Sequence, residues 1–136
     1  MTTNPAKHFT YDELACKCCG QFKMDSVLLR ELDALREYVS RPIIIHSGYR
    51  CSKHPNWTQG SYHDGRAVDF HIETFTLPEM YFATERRGLF RNGGIGVYPD
   101  GNFIHADMRV GCARWARIGG KYVDIAAAFQ VASKLP

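Results

Sequence analysis

Residues 61–70 read SYHDGRAVDF, and the reading of this stretch decides the rest. A histidine at 63 and an aspartate at 69 stand six positions apart, with Gly65 between them. From Ala67 to Ile72 the residues alternate, so a strand here puts Val68, Phe70 and Ile72 on one face and Ala67, Asp69 and His71 on the other. The first set is a core face. The second carries polar groups able to converge on a site, and Gly65 lets the chain bend sharply ahead of it. From these residues alone the stretch is either part of a metal site or a polar turn.

A hairpin further along can be read the same way. GGIGVYP and NFIHADM flank Asp100-Gly101, a strong two-residue turn signal. That loop pairs Tyr98 with Phe103, Gly96 with His105 and Gly94 with Asp107. Directly opposed residues share a face, so His105 and Asp107 look out on one side while Ile104, Ala106, Val97 and Ile95 go into the core. Two glycines facing a histidine suggest room kept for a ligand. His63, Asp69 and His105 then supply two imidazoles and a carboxylate, a donor set for a tetrahedral zinc with one open position.

Around these strands the signals are mostly helical. TYDE at 10–13 has capping-box spacing and opens a short helix. Leu28, Leu32, Leu35 and Val39 recur at helical spacing, with Asp25 or Ser26 as N-cap. Arg41-Pro42 ends that helix, and the β-branched Ile43, Ile44 and Ile45 predict a buried strand. Leu77-Pro78-Glu79 begins a second helix that ends near Gly88 or Asn92, and a last helix runs from about Val123 to Lys134. Helices packed on an antiparallel sheet make the class α+β.

The 136 residues form one domain, large enough to bury a core. A net charge of +3, with no basic run, argues against nucleic acid and suits an anionic cell-wall polymer. No apolar stretch reaches the ~18 residues of a membrane span, so no membrane insertion is expected. The N-terminus lacks the basic-then-apolar signal pattern, which predicts synthesis in the cytoplasm without a signal peptide. Of the five cysteines, Cys16, Cys18, Cys19 and Cys51 could ligate a structural zinc, although CKCC lacks the usual pair of separated CxxC knuckles. A disulfide from this cluster to Cys51, or partly buried free thiols, are the other readings.

SGYRC at 47–51, SxHxGxAxD at 61–69 and FIHAD at 103–107 with a following RW together resemble the zinc D,D-peptidases and endolysin peptidases of hedgehog/DD-peptidase fold. That group holds D-alanyl-D-alanine carboxypeptidases, vancomycin-resistance D,D-dipeptidases and phage L-alanyl-D-glutamate endopeptidases. FTYDELACKCCG at 9–20 is similar to the start of small single-domain phage and bacterial members, and the likeness runs from about residue 8 to 118. The resemblance implies a Zn2+ metallopeptidase, with His63, Asp69 and His105 as ligands. Ser61 matches the serine opening the first motif, and Arg50 an arginine that engages a substrate carboxylate or polarises the scissile carbonyl. It also implies a peptidoglycan stem peptide as partner. A monomer is expected, acting at the bacterial cell wall or periplasm after release or within a phage particle.

Two departures from the family pattern stand out. The usual His-to-Asp spacing is seven rather than six, which makes His71, on the Asp69 face, the substitute ligand. Many members also carry Glu or Asp three residues before the last histidine, where this chain has Asn102. Asp107 is then the candidate to deprotonate the metal-bound water, or else to orient His105 through its other ring nitrogen. Asp64 is a weaker, solvent-facing candidate. Tyr98, Phe103 and Trp57 are expected to wall the groove; a core role is as good a reading for Trp57 and Trp115. His46 is read as buried or as supporting the site, and His8 and His54 as surface residues.

Three functions of different kind remain open on these residues. The first is a zinc peptidase of D,D-carboxypeptidase or L-alanyl-D-glutamate endopeptidase type. The second is a non-catalytic wall-binding or structural module on the same fold, favoured by Asn102. The third is an interaction module built on a cysteine-bound zinc.

Overall fold

A computed structural model of the chain describes residues 4–133. Helix α1 (Tyr11–Leu14) begins with the expected capping box, Thr10 and Glu13 each satisfying a backbone N–H of the other. Helix α2 (Ser26–Val39) is capped by Asp25, whose carboxylate accepts from the N–H groups of Val27 and Leu28 at 2.7 and 3.3 Å. Its apolar stripe Leu28, Leu32, Leu35 and Val39 is buried, as the spacing requires. Strand β1 (Ile43–Ser47) follows, then β2 (Ala67–Ile72), whose bounds match the sequence reading.

Helix α3 (Leu77–Glu85) starts where expected, with Thr76 as N-cap and Pro78 in its first turn. It ends sooner than the reading had it. Arg87 takes an extended conformation (φ −93°, ψ 120°), and a separate turn, α4 (Gly88–Arg91), follows. The break is anchored: Arg87 pairs with Glu31 on α2, and glycine is a poor residue to continue a helix. Strands β3 (Gly94–Tyr98) and β4 (Phe103–Asp107) form the anticipated hairpin, in the anticipated register. Helix α5 (Ile125–Ser133) closes the described chain; the expected extension to Lys134 lies outside the described residues.

Two strands were not foreseen, β5 (Ala113–Ile118) and β6 (Lys121–Val123). The left-handed glycines Gly119 and Gly120 (φ 56° and 77°) make the turn between them. The sheet order is β1-β2-β4-β3-β5-β6. Four of its five pairings are antiparallel and β3–β5 is parallel, so the sheet is mixed rather than wholly antiparallel. The class remains α+β, with helices against one face. Val68, Phe70, Ile95, Val97, Ile104, Ala106 and Ala116 are all fully buried on that face, against α3 and α5, with α2 packed on α3. At about 1.5–3 kcal/mol for each large apolar side chain buried, this layer is a stiff floor. It leaves the opposite face, with Asp69 and His105, free for chemistry.

Candidate metal centre

Asp69 and His105 are directly opposed residues of β2 and β4. The Asp69 carboxylate lies 2.8 Å from His105 Nδ1 through one oxygen and 3.3 Å from His63 Nε2 through the other. His63 arrives from outside the sheet, on a single 3-10 turn (Tyr62–Asp64). Ser61 caps that turn by accepting from the His63 N–H at 3.1 Å, and Gly65 closes it at φ 116°. A Cβ at Gly65 would stand 2.5 Å from the Lys23 carbonyl oxygen. Both the conformation and the space therefore require glycine. The turn with one residue before glycine still delivers His63 to Asp69, despite its six-residue spacing.

The ring nitrogens turned away from Asp69 are both occupied. His63 Nδ1 is 2.8 Å from the Gly48 carbonyl oxygen, which can only accept, so the proton belongs on Nδ1 and Nε2 offers its lone pair. His105 Nε2 is 2.8 Å from Asp107 Oδ2, leaving Nδ1 toward Asp69. Ligand atoms from His63, Asp69 and His105 all lie within 4.8 Å of one another, and all three residues are buried. Burial works to raise the Asp69 carboxyl, but the bonds to His105 and His63 outweigh it and hold it well below the usual range. Burial likewise disfavours the charged His105 ring, yet Asp107 and Asp69 raise it to about 8. Two imidazoles and a carboxylate, each imidazole oriented through its far nitrogen, fit a zinc-type ion.

The triad lines a cleft of about 860 Å³. Arg50 stands beside it, held by Ser47 Oγ at 3.0 Å and reaching Asp69 at 3.3 Å. Tyr98 and Phe103 line the cleft as expected, their rings stacked with centroids 4.7 Å apart. Ser61 also lines it. Three expectations need correction. His71 is not a substitute ligand, since it turns away from the cleft to meet His46 at 2.6 Å. His46 itself is exposed against Phe103, neither buried nor supporting the triad. Trp57 is 41% exposed and does not line the cleft.

Asp107 stands behind the triad rather than in the cleft. It is fully buried behind His105, accepting from the Gly94 and Arg109 N–H groups, the Arg109 guanidinium and His105. Burial opposes its charge, but His105 and Arg109 keep its carboxyl well below the usual range. With no surface in the cleft, it reaches cleft water only through the imidazole. Its contact with the far nitrogen of His105 is the orienting one of the two roles expected for it. Asn102 is exposed in the hairpin turn at φ 53°, its N–H bonded to the Pro99 carbonyl. Asp64 is exposed and paired with Arg66.

The two glycines opposite the histidine strand do not keep space for a ligand. A Cβ at Gly96 would stand 2.5 Å from the Trp115 indole, and one at Gly94 would meet Arg109 and Asp107. Trp115, on β5, takes that space and donates to Tyr98 Oη at 2.8 Å. Arg109 is stacked between the rings of Tyr62 and Trp115, 4.7 Å from each. Tyr62, Arg109 and Arg117 are cleft residues the sequence reading missed. For Arg109 a signal existed, because it lies two residues past Asp107 and continues the alternation.

The chain is 37% identical over 76 residues to the peptidoglycan L,D-endopeptidase MepK of Escherichia coli (strain K12), covering 49% of this chain and 40% of that protein. The probable peptidoglycan L,D-endopeptidase MepK of Haemophilus influenzae is 44% identical over 50 residues, 36% of this chain and 25% of its own. The matched stretch thus spans less than half the length of these relatives. No solved structure matches. The model of the family described as Peptidase M15 matches residues 7–107. Because that match begins ahead of α1, ends on the last residue of β4 and takes in the whole triad, the chain belongs to the peptidase M15 family.

Proposed function

We propose that this protein is a metal-dependent peptidase that hydrolyses peptide bonds in the stem peptides of bacterial peptidoglycan. The observation that carries the reading is the triad at the floor of the cleft, with both far ring nitrogens held. His63 Nε2, one Asp69 oxygen and His105 Nδ1 would hold a zinc ion. Such an ion polarises a peptide carbonyl and lowers the pKa of bound water to about 7.

The chain's own residues then bind and orient. Arg50, Arg109 and Arg117 face the cleft, where Asp69 is the one carboxylate among the lining residues. Their excess positive charge suits a substrate rich in carboxylates. Arg50, nearest the triad, is placed to grip one of them or the scissile carbonyl. The stacked Tyr98 and Phe103 offer an apolar wall for small side chains. Asp107 fixes the orientation of His105 rather than exchanging a proton with substrate. The relatives named for L,D-endopeptidase activity favour an endopeptidase over a carboxypeptidase.

One observation favours a second reading, a non-catalytic stem-peptide binding module. No carboxylate lines the described cleft apart from Asp69, so no acidic general base stands beside the triad. Both readings are separated by mass spectrometry of muropeptides incubated with zinc-loaded protein, with His63→Ala alongside. New peptide termini made only by the intact protein establish the peptidase, and their masses name the bond. An unchanged digest from a protein that holds metal and binds muropeptides gives the binding module.

A further inference from the structure

A second group of ligand atoms lies outside the cleft and takes no part in the proposed reaction. Cys16, Cys18 and Cys19 sit in the turn after α1, and Cys51 follows Arg50 on the far side of β1. Their four sulfurs lie within 4.8 Å of one another, with Cys18 and Cys51 at 3.3 Å. Four thiolates around a zinc at about 2.3 Å stand about 3.8 Å apart in a tetrahedron. The four are therefore close to a metal-bound spacing.

The backbone is built for the same purpose. Cys16-Lys17-Cys18-Cys19-Gly20 is a C-x-x-C-G turn, the one knuckle the chain possesses. Gly20 adopts φ 77° and donates to the Cys16 carbonyl at 2.8 Å, while the Cys16 N–H donates to the Gln21 carbonyl at 2.8 Å. The Cys51 backbone N–H donates to the Cys16 sulfur at 3.4 Å, tying the two ends of the group together. A Cys18–Cys51 disulfide would use two of the sulfurs. It would leave Cys16, which accepts from the Cys51 N–H, and Cys19 outside the pairing.

We infer that Cys16, Cys18, Cys19 and Cys51 bind a structural zinc ion that clamps the N-terminal segment to the loop carrying Arg50. The clamp lies beside the triad's supports. The Tyr49 N–H donates to the Leu14 carbonyl at 3.0 Å, and a Cβ on Gly48 would come within 2.4 Å of the same oxygen. Gly48 in turn holds His63, and the Arg50 N–H donates to the His63 carbonyl at 2.8 Å. Fixing Cys51 thereby fixes the residue beside it, Arg50, and the segment that orients His63.

The inference does not rest on the peptidase reading, and its test uses no activity. The full chain, purified under reducing conditions, is loaded with cobalt(II), and its absorption spectrum is recorded. Because the cleft triad contains no sulfur, a sulfur-to-cobalt charge-transfer band in the near ultraviolet reads the cysteine site alone. The expected result is that band, persisting in His63→Ala with about one metal ion per chain bound at the cysteines. Four thiols that react freely with no such band would overturn the inference. So would a Cys18–Cys51 disulfide found by non-reducing mass spectrometry of freshly isolated protein. Cysteine variants are not required, so misfolding of Cys16→Ser or Cys51→Ser leaves the test intact.

Discussion

The histidine–aspartate triad and the cysteine quartet both gather ligand atoms from distant parts of the chain, but they are held by different means. Asp69 and His105 are paired across β2 and β4 above a floor of Phe70 and Ile104, and His63 is pinned to the Gly48 carbonyl. All three are buried. The quartet sits on turns, with Cys16 and Cys51 buried and Cys18 and Cys19 exposed. A sheet presets its ligands through hydrogen-bonded register. Turns depend on local contacts and, on our inference, on the ion itself. The triad should therefore survive metal removal in place, whereas the quartet should loosen.

The largest test of this contrast is Asp69→Ala. Muropeptide hydrolysis should fall by about a thousand-fold or more, the several kcal/mol a bound metal supplies, while the cobalt–thiolate band is unchanged. Loss of that band in Asp69→Ala would mean the two regions are one cooperative site. Next is the floor. Phe70→Ala should cost about 3–5 kcal/mol in denaturant unfolding, because it empties a fully buried position beneath Asp69. A cost near zero would show that the sheet does not frame the triad.

Asp107→Asn keeps the shape and removes the charge behind His105. Metal affinity at the cleft should weaken by about 10–100-fold, read by competition with a chelator. An unaltered affinity with lost hydrolysis would return Asp107 to proton transfer. The smallest effect is expected on the turn side. Thr10→Ala removes the α1 cap ahead of the cysteines. A loss of about 0.5–1 kcal/mol should speed thiol modification of metal-free protein by about 2- to 5-fold, with no change at the triad.

The same difference explains what could be read from residues alone. Alternation along Ala67–Ile72 and the Asp100-Gly101 turn fixed which side chains share a face, so Asp69, His105 and Asp107 were placed before any coordinates. Periodicity has no hold on what approaches a strand from elsewhere. Trp115 enters opposite His105 from β5, which pairs in parallel with β3 through a connection that carries no local signal. That is why Gly96 was read as space for a ligand. Nor does alternation say how deep Asp107 lies on its face, where Arg109 folds back over it. The four cysteines were legible as a possible ligand set, but sequence alone could not choose between zinc, a disulfide and free thiols, since Cys51 meets Cys16 across 35 residues.

The central claim is that His63, Asp69 and His105 hold a metal at the floor of the cleft. X-ray diffraction from zinc-loaded crystals, collected on both sides of the zinc absorption edge, tests it most directly. The account predicts an anomalous peak bonded to His63 Nε2, Asp69 and His105 Nδ1, with Asp107 still on His105 Nε2. No peak at the triad in protein that hydrolyses muropeptides, whatever is bound at the cysteine quartet, would contradict it.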